Sequence, residues 1–146
     1  MKAVTVAVSL AFGSMLMGGC QTNSQKQLLA ASASQVELRS FQTRAFDTSD
    51  KQKVMRSVIS TLQDLDFVVD NADIMLGTVS GSKFGQAQYV PYELKMTVTV
   101  RARGEAQMLV RANAQYNIQA VEDPQPYQDF FTALEKSLFL TAQNVD

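Results

Sequence analysis

One thiol and no imidazole are available for chemistry in this chain. Cys20 is its only cysteine, and its 146 residues include no histidine. Zinc sites built on Cys or His, Ser-His-Asp and Cys-His nucleophiles, and haem or iron–sulfur ligation all need side chains that this sequence lacks. It also contains no glycine-rich phosphate loop, GxSxG turn or calcium-loop spacing. The sequence therefore predicts a protein that is not an enzyme and uses no metal or other cofactor.

The residues before Cys20 have the layout of a secretory signal peptide. Lys2 supplies one positive charge, an uncharged and mainly apolar run extends over residues 3–17, and two glycines separate this run from Cys20. The run is shorter than the roughly 20 apolar residues of a membrane-spanning helix. Residues 1–19 are therefore predicted to be a signal peptide.

The run Leu16-Met17-Gly18-Gly19-Cys20 resembles the lipobox of bacterial lipoproteins. In that family a lipid is attached to the cysteine, a peptidase cuts before it, and the new N-terminus is acylated. The resemblance implies lipidation of Cys20 and firm membrane anchoring, since two or more acyl chains give stable attachment. An ordinary cleaved signal that leaves a free thiol is the alternative.

The residue after Cys20 bears on which membrane holds the protein. It is Gln21, whereas Asp at this position retains enteric lipoproteins in the inner membrane. By that resemblance the protein is expected in the outer membrane, facing the periplasm, and the inner membrane stays open as an alternative.

Residues 20–34 form a linker in which Lys26 is the only charge. A segment with so little to bury is predicted to be a flexible tether, spanning on the order of 20 Å. Residues 35–146 are long enough for a single domain with its own core. The whole chain has 13 basic and 14 acidic residues, and they are interspersed without a basic stripe. Nucleic acid is therefore not a predicted partner.

Periodicity in the domain predicts the element order β-α-β-β-β-β-α. The first strand is predicted over residues 36–46. The helix after it is expected to begin at Asp47-Thr48-Ser49-Asp50, a cluster of N-cap residues in which Ser49 and Gln52 have the spacing of a capping box. Two further strands are predicted over residues 67–69 and 74–83. The helix has an apolar stripe of Val54, Met55, Val58, Ile59, Leu62 and Leu65.

Strict alternation is the clearest structural signal in the chain. Apolar and polar residues alternate without a slip from Tyr92 to Arg103. They alternate again from Gln107 to Ile118, where Leu109 is the one apolar residue on the polar phase. This pattern predicts a long antiparallel hairpin with one buried face. A last helix is predicted to begin after Asp123 and Pro124. Its apolar face comprises Tyr127, Phe130, Phe131, Leu134, Leu138 and Ala142.

Both helices and the hairpin have one apolar side each. The arrangement that buries all of these sides is an α+β, two-layer sandwich. We expect an antiparallel-dominated sheet of about five strands with two helices on one face.

Four stretches carry a resemblance to known proteins: residues 42–48, residues 62–67, residues 76–80 with 82–83, and residues 127–131 leading to 136–140. Together they resemble a group of small proteobacterial lipoproteins without an assigned activity. The resemblance covers nearly the whole chain after Cys20 and implies an envelope protein, but it brings no site residue. The helix-on-sheet plan is also similar to accessory subunits of outer-membrane assembly and transport machines, and that likeness is one of architecture alone.

Five residues are candidates for contact with a partner. Phe84, Tyr89 and Pro91 lie in a predicted loop, where exposed apolar groups often mark a binding site. The alternative is that these aromatics fold back over the sheet edge. Arg101 and Arg111 are predicted on the wet face of the hairpin, which is either a docking face or simply solvated.

Arg44 and Asp47 flank the first strand-to-helix corner. They are either a recognition site for a polar partner or, as we favour, a local ion pair with a helix cap.

These features predict an envelope lipoprotein that acts as a non-catalytic accessory subunit of a transport, efflux or secretion assembly. Its expected partners are a membrane, through the lipid on Cys20, and an envelope protein. The alternative function is binding of a small amphipathic ligand, such as a lipid or a cell-wall fragment, between the sheet and the helices.

Overall fold

The computed structural model describes residues 34–143, and the side chains of residues 34–140. Contacts divide the chain into two units, Met1–Gln35 and Val36–Asp146. The predicted signal peptide, Cys20 and nearly all of the predicted tether lie outside the described residues. Within the described residues, no helix is both long and apolar enough to cross a bilayer.

The described residues form three helices and six strands. They are α1 (residues 34–42), β1 (Thr43–Phe46), α2 (Lys51–Asp64), β2 (Val68–Asp73), β3 (Thr78–Ala87), β4 (Val90–Arg103), β5 (Gln107–Tyr116), β6 (Gln119–Ala120) and α3 (Gln125–Gln143). The strands pair antiparallel in the order β1-β5-β4-β3-β2. The short strand β6 also pairs with β5, on the same edge as β1 but further along the strand. The predicted α+β class with an antiparallel sheet is confirmed.

The predicted first strand is wrong over most of its length. Residues 34–42 are helical, and only Thr43–Phe46 is extended, where it pairs with β5. Glu, Leu, Arg and Gln within residues 37–42 are good helix formers, which explains the helix. Packing also favours it, because Phe41 lies 5.7 Å from the ring of Tyr127 and Gln42 donates a hydrogen bond to the Tyr127 hydroxyl.

Helix α2 begins at the last residue of the predicted cap cluster, not at the predicted capping box. Asp50 is the N-cap and accepts a hydrogen bond from the Lys53 N–H at 2.9 Å, so the capping box of Ser49 and Gln52 is wrong. At the other end Asp66 has φ 64° and the Phe67 N–H donates to the Leu62 carbonyl at 2.9 Å, which is a Schellman motif. This reversal places Phe67 in the core at the entry to β2.

The limits of β2 and β3 also differ from the prediction. Strand β2 continues to Asp73, and residues 74–77 form a turn instead of beginning β3. The turn is closed by Asp73, whose carboxylate accepts from the Leu76 N–H and whose carbonyl accepts from the Gly77 N–H. Gly77 has φ 72°, and a Cβ there would lie 2.3 Å from the Val100 carbonyl oxygen. This close approach requires glycine.

The core lies between one face of the sheet and the helices α2 and α3. Alternate residues of β4 and β5 enter it, and the apolar stripes of both helices cover them. Ala142, predicted at the end of the α3 stripe, lies outside the residues whose side chains are described. Ile59, Leu65 and Leu138 are only partly buried at its margin. The fully or nearly fully buried residues include Val54, Met55, Val58, Leu62, Met96, Val98, Val100, Val110, Ala112, Ala114, Tyr127, Phe130, Phe131 and Leu134.

Candidate interaction surface

Strands β3 and β4 continue past their neighbours as a two-stranded ribbon. Strand β2 pairs with β3 only as far as Ser82, and β5 pairs with β4 only as far as Leu94. Beyond these points β3 and β4 still pair with each other up to Ala87 and Val90. The predicted loop over residues 84–91 is therefore wrong, because only two residues connect the strands.

The connecting residues have left-handed backbone conformations. Gln88 has φ 49° and Tyr89 has φ 68°, which is the pattern of a type I′ hairpin turn. Asn-Gly usually fills such turns, and a residue with a Cβ costs on the order of 1 kcal/mol there. The Tyr89 side chain is 97 % exposed, so its packing within the fold does not offset this cost. A strained residue that gains no packing within the fold is a candidate for a functional role.

Several large apolar side chains are exposed at this end of the sheet, on both faces of the ribbon. Phe84 is 71 % exposed, Val90 is 64 % exposed, and Ile118, in the turn between β5 and β6, is 94 % exposed. Phe84 and Tyr89 do not fold back over the sheet edge, which was the alternative drawn from the sequence. We call Phe84, Tyr89, Val90 and Ile118 the apolar tip. Ile118 was expected on the buried phase of the hairpin, but β5 ends at Tyr116.

The ribbon is braced at its base. The Tyr92 ring covers Gly85, where a Cβ would lie 2.5 Å from it, and stacks on Tyr116 with 5.1 Å between centroids. On the same side Asn117 pairs with Glu93 through its backbone N–H at 2.7 Å and its side-chain oxygen at 2.9 Å. A free two-stranded hairpin is only marginally stable, and these contacts give the apolar tip a fixed support.

Pro91 lies in β4 next to the turn, opposite Gln86, and is exposed. Together with Phe84 and Tyr89 it places three of the five predicted contact residues on the ribbon. Val90 and Ile118 were not among the five predicted contact residues, although Val90 carried a signal as an apolar residue within the predicted loop.

Arg101 and Arg111 lie elsewhere, on the sheet face that α2 and α3 leave uncovered. Arg101 is opposite Leu109, and Arg111 lies between Thr99 and Thr43. A strand rises about 3.3 Å per residue, so Arg101 is roughly 26 Å along β4 from Glu93 at the base of the ribbon. The structure does not bring the arginines and the apolar tip together. Arg111 is half-buried, and its Nε atom has no hydrogen-bond partner among the described residues.

Arg44 and Asp47 have structural partners, but not the predicted ones. Arg44 forms an ion pair of 2.7 Å with Glu135 of α3 and lies 5.0 Å from the ring centroid of Phe131. Asp47 accepts a hydrogen bond from Gln107 at 2.6 Å. The expected local ion pair and helix cap are therefore wrong, and both residues tie β1 and its corner to the rest of the domain.

A shallow cleft of about 270 Å³ opens on the helix side at the base of the ribbon. It is mainly apolar, and Lys83 at its rim donates to the Leu65 carbonyl at 3.1 Å and to Asp66 at 3.3 Å. Pockets for small molecules are usually about 300–1,000 Å³, so this cleft is at the small end. Its lining comprises Leu65, Phe67, Lys83, Tyr92, Leu94, Met96, Pro126 and Asp129. Among the described residues, no group of three or more His, Cys, Asp or Glu is placed to hold a metal ion.

No family model and no curated protein matches the chain. Among solved structures it is similar to a DUF4468 family protein from Bacteroides ovatus, with 10% identity and a TM-score of 0.39, over 66% of this chain and 84% of that one. It is also similar to a TBP-like protein from Parabacteroides distasonis, with 15% identity and a TM-score of 0.34, over 71% of this chain and 92% of that one. Likeness this slight assigns no activity.

Proposed function

We propose that this chain is a lipoprotein of the bacterial envelope whose folded domain is a non-catalytic interaction module. It serves as an accessory subunit of a transport, efflux or secretion assembly. The lipid on Cys20 holds it in the outer membrane, facing the periplasm, and the apolar tip contacts the partner protein. The observation that carries the contact is the exposure of Phe84 (71 %) and Tyr89 (97 %) on a braced ribbon.

The anchoring part of the proposal is supported by the residues that lead to Cys20. Replacing Cys20 with Ser should abolish labelling by a lipid precursor and leave an unprocessed chain, whereas Ser24→Ala should be labelled and processed normally. Density separation of the two membranes should find the wild type in the outer one. An unlabelled wild type, or efficient processing of Cys20→Ser to a soluble form, would sink the assignment.

The contact part of the proposal is supported by the chemistry of the apolar tip, because binding energy concentrates in a few large side chains. The test is in-cell crosslinking of a full chain that carries both Phe84→Ala and Tyr89→Ala. Met75→Ala with Leu76→Ala is a matched control, since those side chains are 90% and 71% exposed in the turn between β2 and β3. Only the first variant should lose the crosslinked partner, and both should melt like the wild type. A first variant that is destabilised yet still captures the partner would refute the contact.

The second candidate function is binding of an amphipathic ligand in the cleft, and the apolar lining from Leu94, Met96 and Phe67 favours it. In that case the purified full chain should carry stoichiometric lipid that mass spectrometry detects after solvent extraction. Leu94→Gln should lose this lipid. Wild-type protein that releases no lipid on solvent extraction, apart from the lipid attached covalently to Cys20, would exclude this candidate.

A further inference from the structure

The hydrogen-bonding phase of β3 follows from the hairpin turn. In a two-residue hairpin the residues that flank the turn form a hydrogen-bonded pair, here Ala87 and Val90. Odd-numbered residues of β3 therefore bond to β4, and even-numbered ones point their N–H and C=O groups away from it. Strand β2 pairs with β3 over Thr78 to Ser82, on the side to which these even-numbered residues direct their backbone groups.

Within residues 34–143, no strand lies beside the next two outward-directed residues of β3. They are Phe84 and Gln86, and β2 begins at Val68, opposite Ser82. Both residues are exposed, and no hydrogen bond within the described residues reaches the backbone groups that they direct outward. The vacant position is a direct continuation of the line of β2.

Two other strand edges in the sheet are closed or interrupted. On the opposite edge of the ribbon the outward position is Pro91, which has no N–H, and Glu93 beside it is paired with Asn117. The outer edge of β2 is interrupted by an irregularity between Val69 and Asn71 and carries acidic side chains. Bulges, charges and proline are the usual devices that stop a sheet edge from pairing. The edge at Phe84 and Gln86 has none of them.

We propose that this edge binds an extended peptide segment of the envelope partner, which adds to β3 as an antiparallel strand. The proposal rests on the function proposed above and specifies the chemistry of the contact. Backbone groups of Phe84 and Gln86 hold the peptide, as in other cases of strand addition. Side chains alternate, so every second residue of the peptide lies on the face that carries Phe84 and Val68, which is 66 % exposed. We expect those peptide residues to be apolar.

A second copy of this chain fits the edge less well than a peptide does. If the β3 strands of two copies paired antiparallel about a two-fold axis, the axis would pass through Gly85. Each copy would then contribute only Phe84 and Gln86 to the pairing, because β2 of one copy would collide with the hairpin turn of the other. A single peptide strand has no such obstruction beyond the ribbon.

The test compares two substitutions at one position. Gln86→Pro removes the outward N–H but no hydrogen bond of the hairpin, because that N–H points away from β4. Gln86→Ala keeps the N–H and removes the side chain. The probe is the capped heptapeptide Lys-Thr-Val-Thr-Val-Thr-Lys, titrated into the lipidated full chain in detergent micelles and followed by amide NMR.

We expect the peptide to shift the amides of Phe84 and Gln86 in the wild type and in Gln86→Ala. Its affinity should fall at least tenfold in Gln86→Pro, and alternate N-methylation of the peptide should abolish binding. Equal affinity of the proline and alanine variants would overturn strand addition, as would shifts confined to the cleft. Dimerisation that is lost in Gln86→Pro would overturn it in favour of a second copy.

In-cell crosslinking separates this proposal from the proposed function. A partner lost from Phe84→Ala with Tyr89→Ala and retained by Gln86→Pro would refute strand addition and leave the apolar tip as the contact. A partner retained by all of these variants would refute both. The amide spectrum of Gln86→Pro, which should match the wild type away from the ribbon, verifies that the variant folds.

Discussion

The middle of β4 and its first residues are parts of one strand with opposite environments. Val98 is fully buried under the helices, whereas Val90, eight residues earlier in the same strand, is 64 % exposed. Both lie on the same phase of the alternation, so the strand itself does not decide which of them is buried. The cover provided by α2 and α3 decides it. An apolar strand residue that lies beyond the helices is therefore available for contact with another molecule.

The two regions also differ in what they contribute to stability. Burying a side chain such as that of Val98 stabilises a fold by about 1.5–3 kcal/mol. Tyr89 instead occupies a left-handed conformation that costs on the order of 1 kcal/mol, and it remains 97 % exposed. Stability is concentrated in the middle of the sheet, and the ribbon retains strained and exposed residues that the fold does not require.

The largest expected effect comes from a charge in the middle of β4. Val98→Asp should lower the free energy of unfolding by several kcal/mol, because a lone buried carboxylate is poorly tolerated. Thr99→Asp, one residue along, should change it little, since Thr99 lies on the uncovered face opposite Arg111. Thermal melting by circular dichroism measures both. Equal melting of the two variants would show that the phase of β4 is misassigned.

The next largest effect is expected from loss of the buried Tyr127 hydroxyl. This hydroxyl lies beside β5, between the part of the strand that pairs with β1 and the part that pairs with β6. The Tyr127 hydroxyl accepts from the Ala114 N–H at 3.1 Å and donates to the Val121 carbonyl at 2.8 Å. Tyr127→Phe leaves these groups unpaired and should cost about 2–3 kcal/mol in urea unfolding. Tyr116→Phe, at a half-exposed position, should be near neutral. A neutral Tyr127→Phe would contradict this account of the edge.

A smaller effect of opposite sign is expected at the hairpin turn. Gln88→Asn with Tyr89→Gly supplies the residues that a type I′ turn favours and should raise the free energy of unfolding by about 1 kcal/mol. The same variant should lose the crosslinked partner, because it removes the Tyr89 ring. Gln88→Asn alone should keep the partner. A double variant that is no more stable than the wild type would contradict the strain assigned to this turn.

The smallest effect is expected from truncation at the apolar tip. Phe84→Ala should change the free energy of unfolding by less than about 0.5 kcal/mol, as exposed positions usually do. Met96→Ala, at a buried position of the same sheet, should cost about 2–5 kcal/mol. Chemical denaturation measures the free energy of unfolding of both variants. Similar losses in the two would contradict the difference expected between the ribbon and the middle of the sheet.

The sequence predicted the region under the helices better than the ribbon, for physical reasons. Alternation that is unbroken in β4 and interrupted only at Leu109 in β5 reports one-sided burial directly, so the pairing of these strands and its buried phase were predictable. The alternation of Val36 and Leu38 fitted a strand, but contacts with Tyr127, far along the chain, favour a helix. The turn at Gln88 and Tyr89 lacks the Asn-Gly pair that marks such hairpins, so it was hidden in a predicted loop.

The partner of Arg44 was equally unpredictable. Its hydrogen-bonded partner Glu135 is 91 residues away in the chain, and the ion pair arises only when α3 packs beside β1. Local spacing instead pointed to Asp47, which pairs with Gln107. Of the candidate contact residues, the sequence indicated Phe84, Tyr89 and Pro91 by type alone, and their common placement on a ribbon required the fold.

The central claim is that the apolar tip contacts an envelope protein. It is tested most directly by placing a photocrosslinking amino acid at position 89 of the full chain in living cells and comparing it with the same amino acid at position 105. Glu105 is exposed in the turn between β4 and β5, at the opposite end of the sheet. The account predicts one discrete crosslinked envelope protein from position 89 and none from position 105. No crosslink at position 89, or the same products from both positions, would contradict it.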